Sequence, residues 1–155
     1  MTWKPSEWRI PKNSEVIGRG LNDKQFEVRL TKALKEIREV LVDDGLLLLW
    51  FSHRSIEAWK TVLRAIREAR FKVVNIIPFV SEHPTRSITK GGVSGINRVL
   101  ILVARKLEKA PEVNKESILR RFAKQVEKAK IYPHEKVEID EVRMLTSIAS
   151  LALQS

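Results

Sequence analysis

Six consecutive apolar residues, Leu46-Leu47-Leu48-Leu49-Trp50-Phe51, stand between two stretches of helical periodicity. The run is far shorter than the ~20 residues a membrane helix needs. Its lack of polar alternation predicts a strand covered on both faces, as in a parallel sheet. Upstream, Phe26, Leu30, Ala33, Leu34, Ile37 and Leu41 recur at helical spacing. Asn22 and Gln25 are spaced as a capping box and Gly45 is a fitting stop. Downstream, Ser55 is the expected cap of a helix striped by Trp59, Val62, Leu63 and Ile66. The expectation is a small sheet with residues 46–51 as its central strand, flanked by helices over about 23–43 and 55–69.

The remaining pattern extends this sheet. Phe71 to Ile77 reads as a second strand, with Pro78 marking a strand end or an edge. Residues 81–97 form a long loop with Gly91, Gly92 and Gly95, and Arg98 to Ala104 reads as a third strand. A helix begins near Asn114 with Ile118, Phe122, Val126 and Ala129 on one face, and another near Asp140 with Val142, Leu145, Ile148, Ala149 and Ala152. The first strand–helix–strand unit implies a parallel crossover, and the third strand can return antiparallel through the long loop. Three strands are few for 155 residues, and one hydrogen-bonding edge of the apolar strand is left without a neighbour. The chain divides into an irregular lead-in over 1–21, an α/β unit over 22–106 and a helical extension over 107–155. Trp3 and Trp8 in the lead-in are suited to docking, either on the chain's own domain or on another piece.

Composition narrows the function classes. The absence of cysteine excludes disulfides and thiolate zinc sites and fits a reducing compartment. Residues 1–12 have no apolar core and do not read as a signal peptide, so the expectation is a soluble, cytoplasmic protein without membrane association. The 29 basic and 19 acidic residues leave a net charge of +10. That excess favours polyanions, nucleic acid above all, and equally fits the ion-rich surface of a thermophile protein.

Local motifs are sparse. Gly18-Arg19-Gly20 has Asp23 where a nucleotide loop needs its third glycine, so it reads as a turn. The Gly91–Gly95 stretch has no phosphate-binding lysine and reads as a flexible loop. His53, His83 and His134 lie in separate contexts without metal-ligand spacing. Ser52, His53 and Arg54 follow the end of the apolar strand, where open α/β sheets bind ligands. The other reading is a polar loop in which Ser52 and His53 satisfy backbone groups. Glu82, Arg86, Lys90 and Arg98 decorate the long loop, where basic side chains either grip phosphates or stay solvated. Arg120, Arg121, Lys124, Lys128 and Lys130 stud one helix, interrupted by Glu116 and Glu127, and read as a solvated face.

Several of these segments resemble a known family. The stretch from Ala33 to Gly45 resembles the helix before the fifth strand of class I S-adenosylmethionine-dependent methyltransferases. Trp50-Phe51-Ser52-His53-Arg54-Ser55-Ile56-Glu57-Ala58-Trp59 is similar to the F-x-H-K-S-x-E-A-W signature of archaeal and bacterial adenine-specific DNA methylases, with Arg54 in place of lysine. Ala69-Arg70-Phe71-Lys72-Val73 resembles their A-G-F-x-V turn, with Arg70 in place of glycine. Ser81-Glu82, Arg86 and the stretch from Arg98 to Arg105 resemble their T-E…R…L-V-C-R segment, with Ala104 for cysteine. The likeness runs over about 14–106 and more faintly to the end.

The resemblance implies the late strands of a partial Rossmann-like methyltransferase sheet, with S-adenosylmethionine as cofactor and adenine in DNA as target. It implies substrate- or cofactor-proximal roles for Phe51, Ser52, His53, Arg54, Trp59 and Glu82, while the charge excess and the long loop point to nucleic-acid contacts from Arg86, Lys90 and Arg98. The family's glycine-bearing acidic cofactor loop and its Asp/Asn-Pro-Pro-aromatic motif do not occur in this sequence. The expectation is a chain that is inactive and does not bind the cofactor by itself, needing a second chain with the cofactor half. The alternative is a non-enzymatic module of the same descent that binds nucleic acid or forms homo-oligomers.

Overall fold

The computed structural model describes residues 22–53, 55–80, 98–128 and 139–154. They form helix α1 (Asp23–Val40), strand β1 (Leu47–Phe51), helix α2 (Ile56–Glu68), strands β2 (Phe71–Val80) and β3 (Arg98–Lys106), a short 3-10 turn (Leu107–Lys109), and helices α3 (Lys115–Lys128) and α4 (Ile139–Gln154). The capping box at α1 is complete: Gln25 N donates to Asn22 Oδ1 at 2.9 Å, and Asn22 N donates to Gln25 Oε1 at 3.2 Å. Leu41 turns extended and ends α1 at Val40, three residues short of the expected limit near 43. At Gly45 a Cβ would stand 2.6 Å from Leu41 Cδ1 and 2.9 Å from Val42 O, so only glycine fits this return into β1. Asn114 caps α3, its Oδ1 accepting from Ser117 N at 2.9 Å.

The sheet order is β1-β3-β2, and both pairings are antiparallel. This corrects the expectation that residues 46–51 form the central strand of a parallel sheet. β3 takes the centre and β1 an edge. β1 and β2 run the same way, as the helix-linked crossover requires, but β3 lies reversed between them. Burial along β1 accordingly alternates, with Leu47 buried and Leu48 and Trp50 exposed, so the strand is covered on one face and not on two. Pro78 falls inside β2, paired with Leu100, where the outer position of β2 tolerates its missing N–H.

The helices pack on the sheet face that carries Leu47, Phe71, Val73, Ile76, Leu100, Leu102 and Ala104. Leu34 of α1, Trp59, Val62 and Ile66 of α2, Phe122 and Val126 of α3, and Leu145 and Ile148 of α4 complete this core. Each such large side chain contributes about 1.5–3 kcal/mol when taken fully from water. Among the described residues the class is a mixed α/β fold with a three-stranded antiparallel sheet whose core-facing side carries the helices.

Candidate functional site

The turn from β1 into α2 is held by its own side chains. Ser55 Oγ caps α2 by accepting from Glu57 N at 3.2 Å. His53 Nδ1 accepts from Ser55 N at 3.0 Å. The Trp59 indole N–H donates to the His53 carbonyl at 2.9 Å. Phe51 meets Trp59 edge-on with ring centroids 4.7 Å apart and lies parallel to the His53 ring at 6.2 Å. Of the residues singled out in the sequence, the structure thus brings together Phe51, His53 and Trp59. Trp59 is a core residue, whereas Ser52 and His53 are exposed just beyond the C-terminal end of β1. Arg54, Glu82, Arg86 and Lys90 lie outside the described residues, and Arg98 opens β3 with its backbone opposite Val80.

The opposite face of the sheet is the feature that sequence reasoning missed. Register places Leu48, Val103 and Asn75 side by side, then Trp50, Ile101 and Ile77, then Val99 and Phe79. Cross-strand partners share a face, so these residues form one surface. Leu48 is 55 % exposed, Trp50 59 %, Ile77 36 % and Phe79 43 %. The Trp50 and Phe79 rings reach toward each other across β3, with centroids 5.6 Å apart. Arg121 of α3 joins this surface, donating to Asn75 Oδ1 at 2.8 Å. Asn75 sits beside a bulge in β2, between Val73 and Asn75, that brings it onto this face. An unbroken apolar run cannot by itself say which of its residues face water, which is why the surface was not legible beforehand.

The end of α2 carries a second unusual feature. Arg70 adopts φ 59°, a left-handed conformation that favours glycine. Its N–H donates to Arg67 O and its carbonyl accepts from Leu107 N, both at 2.9 Å, so the turn ties α2 to the end of β3. The Arg70 guanidinium also holds Glu108, with Nε at 2.8 Å from Oε1, while Arg38 of α1 takes Oε2 at 2.8 Å. The Glu108 carboxyl is lowered to about 2, first by its own backbone N–H and then by hydrogen bonds from Arg70 and Arg38. On the other side of α2, Arg64 holds Glu27 of α1 through both carboxylate oxygens, and this hydrogen bonding lowers the Glu27 carboxyl as well.

Among the described residues no group of three or more His, Cys, Asp or Glu side chains could hold a metal, and no helix is long and apolar enough to cross a membrane. Gly45, the one glycine among the described residues, is engaged in packing under Leu41. Comparison with protein-family models, with curated proteins and with solved structures finds no match.

Proposed function

We propose that this chain supplies the late strands of an S-adenosylmethionine-dependent methyltransferase domain acting on adenine in DNA, with the cofactor half supplied from outside residues 1–155. The observation that carries this reading is Arg70. In the A-G-F-x-V turn of the methylases that the sequence resembles, glycine stands at this position, and here the backbone adopts the conformation glycine favours. Backbone conformation is independent of the side-chain likeness, so the two lines of support are separate. The order strand, helix, strand, with β1 and β2 running the same way, is compatible with a partial Rossmann-like sheet. β1 has no described strand along its outer edge and no proline or charge to protect it, which suits it to receive a strand from the missing half. Ser52 and His53 then stand at the strand end where such sheets place ligands.

The test is recovery of the tagged chain from its native host, followed by transfer of a labelled methyl group from S-adenosylmethionine to DNA. The chain alone binds no cofactor by calorimetry and transfers nothing. The recovered complex forms N6-methyladenine, and a Leu49→Pro change at the β1 edge prevents its assembly. Micromolar cofactor binding by the isolated chain, or a recovered complex without transfer, would overturn this division of labour. The second reading, a non-enzymatic nucleic-acid module, is favoured by the net charge of +10 together with the aromatic surface. DNA binding with no methyl transfer in any complex would select it. Homo-oligomers are the least favoured association, because each copy brings the same positive charge.

A further inference from the structure

We propose that the open sheet face binds a single strand of nucleic acid, its bases against Trp50 and Phe79 and its phosphates along the Arg121–Lys124–Lys128 side of α3. The inference rests on the reading that nucleic acid is this chain's target, and it places the contact on the sheet instead of in the 81–97 loop.

Trp50 and Phe79 are 59 % and 43 % exposed and form a joined aromatic surface across the central strand. Large aromatic rings on an antiparallel sheet face that no described helix covers, flanking the buried Ile101 and Val103 of the central strand, suit unpaired bases, whose faces are free to stack, and do not suit a duplex, whose bases stack on one another. The charge beside them has the right sign. At 100° per residue, Arg121, Lys124 and Lys128 fall within one narrow sector of α3, while Glu116 and Glu127 fall with Arg120 on the adjoining sector. Glu116 is paired there with Arg120 at 2.8 Å. The structure therefore separates cations that the sequence shows interleaved with acids. Arg121 fixes the acid-free sector to the open face through Asn75. Neighbours three and four apart on a helix lie about 5–6 Å apart, so the sector offers a ladder of cations along a strand backbone. A second copy of the chain would oppose +10 with +10, whereas a polyanion complements it.

The experiment uses the full chain and a fluorescein-labelled thymidine 20-mer, read by anisotropy against salt, with an unlabelled duplex of mixed sequence as competitor. The wild type binds the 20-mer in preference to the duplex. Trp50→Leu/Phe79→Leu keeps apolar bulk and weakens binding by about fivefold or more, since stacking on each ring is lost. Lys124→Gln/Lys128→Gln lowers the slope of log affinity against log salt by about 1.4, or about 0.7 for each phosphate contact on a single strand. All four positions are exposed, and unchanged circular dichroism and urea midpoints establish that the variants fold. Wild-type affinity in the leucine variant overturns the site. If binding is then lost on neutralising Arg86, Lys90 and Arg98, the nucleic-acid reading survives without it. No binding of either nucleic acid at low salt overturns both. Trp50-dependent association with a protein, without 20-mer binding, assigns the face to protein docking and also overturns the proposal.

Discussion

At most positions alanine is more stable than glycine by about 0.5–1 kcal/mol, because glycine has more backbone freedom to lose on folding. At Arg70 the order should invert. The residue sits at φ 59°, just after the end of α2, where a Cβ is crowded by the neighbouring carbonyl. A side chain of any kind there costs about 1–2 kcal/mol relative to glycine, and the greater entropy of unfolded glycine offsets part of it. Arg70→Gly and Arg70→Ala both remove the guanidinium from Glu108, so that loss cancels between them. What remains is the backbone term, and Arg70→Gly should be the more stable of the pair by about 1 kcal/mol. In a chain of this length that corresponds to about 2–4 °C in thermal midpoint. Urea titration at neutral pH with equal m-values gives the same difference in midpoint. An alanine variant equal to or more stable than the glycine variant would refute the left-handed assignment. It would also remove the main support for the methyltransferase likeness at this turn.

Glu108 should make stability pH-dependent in acid. Its folded carboxyl lies near 2 against an ordinary value of 4.5, so its contribution is present above pH 4.5 and is lost as pH falls toward 2. Glu108→Gln should flatten the acid limb of the wild-type stability curve across that window, and high salt should shrink the difference, since the group is exposed to solvent. Trp59→Phe keeps an aromatic ring but removes the donor to the His53 carbonyl, and should cost about 1–3 kcal/mol in chemical denaturation. Gly45→Ala forces a Cβ against Leu41 and the Val42 carbonyl and should cost about 1–3 kcal/mol; no loss would mean that the turn relaxes freely.

Most elements and the helix starts were legible in the sequence, because they depend on neighbours along the chain, whereas α1 stops at Val40 instead of near 43 and β2 runs on to Val80. The Asn22–Gln25 capping box, the Ser55 cap and most of the apolar stripes of the described helices were legible from spacing and are observed, although Ile37 of α1 is exposed and Ala129 lies outside the described residues. Pro78 left a strand end or an edge open, and β2 is an edge strand that runs past it to Val80. Which strand occupies the centre was decided only in three dimensions. Residues 46–51 are the most apolar run, yet β3 holds the middle, since the position of a strand depends on where the chain returns and not on its own composition. The same applies to exposure. Leu47 and Leu48 are identical residues side by side, and one is buried against the helices while its neighbour faces solvent. The positive φ of Arg70 and the gathering of Arg121 with Asn75 likewise come from long-range packing. A side chain's neighbours across the sheet are fixed by register, and register is a property of two segments distant in sequence.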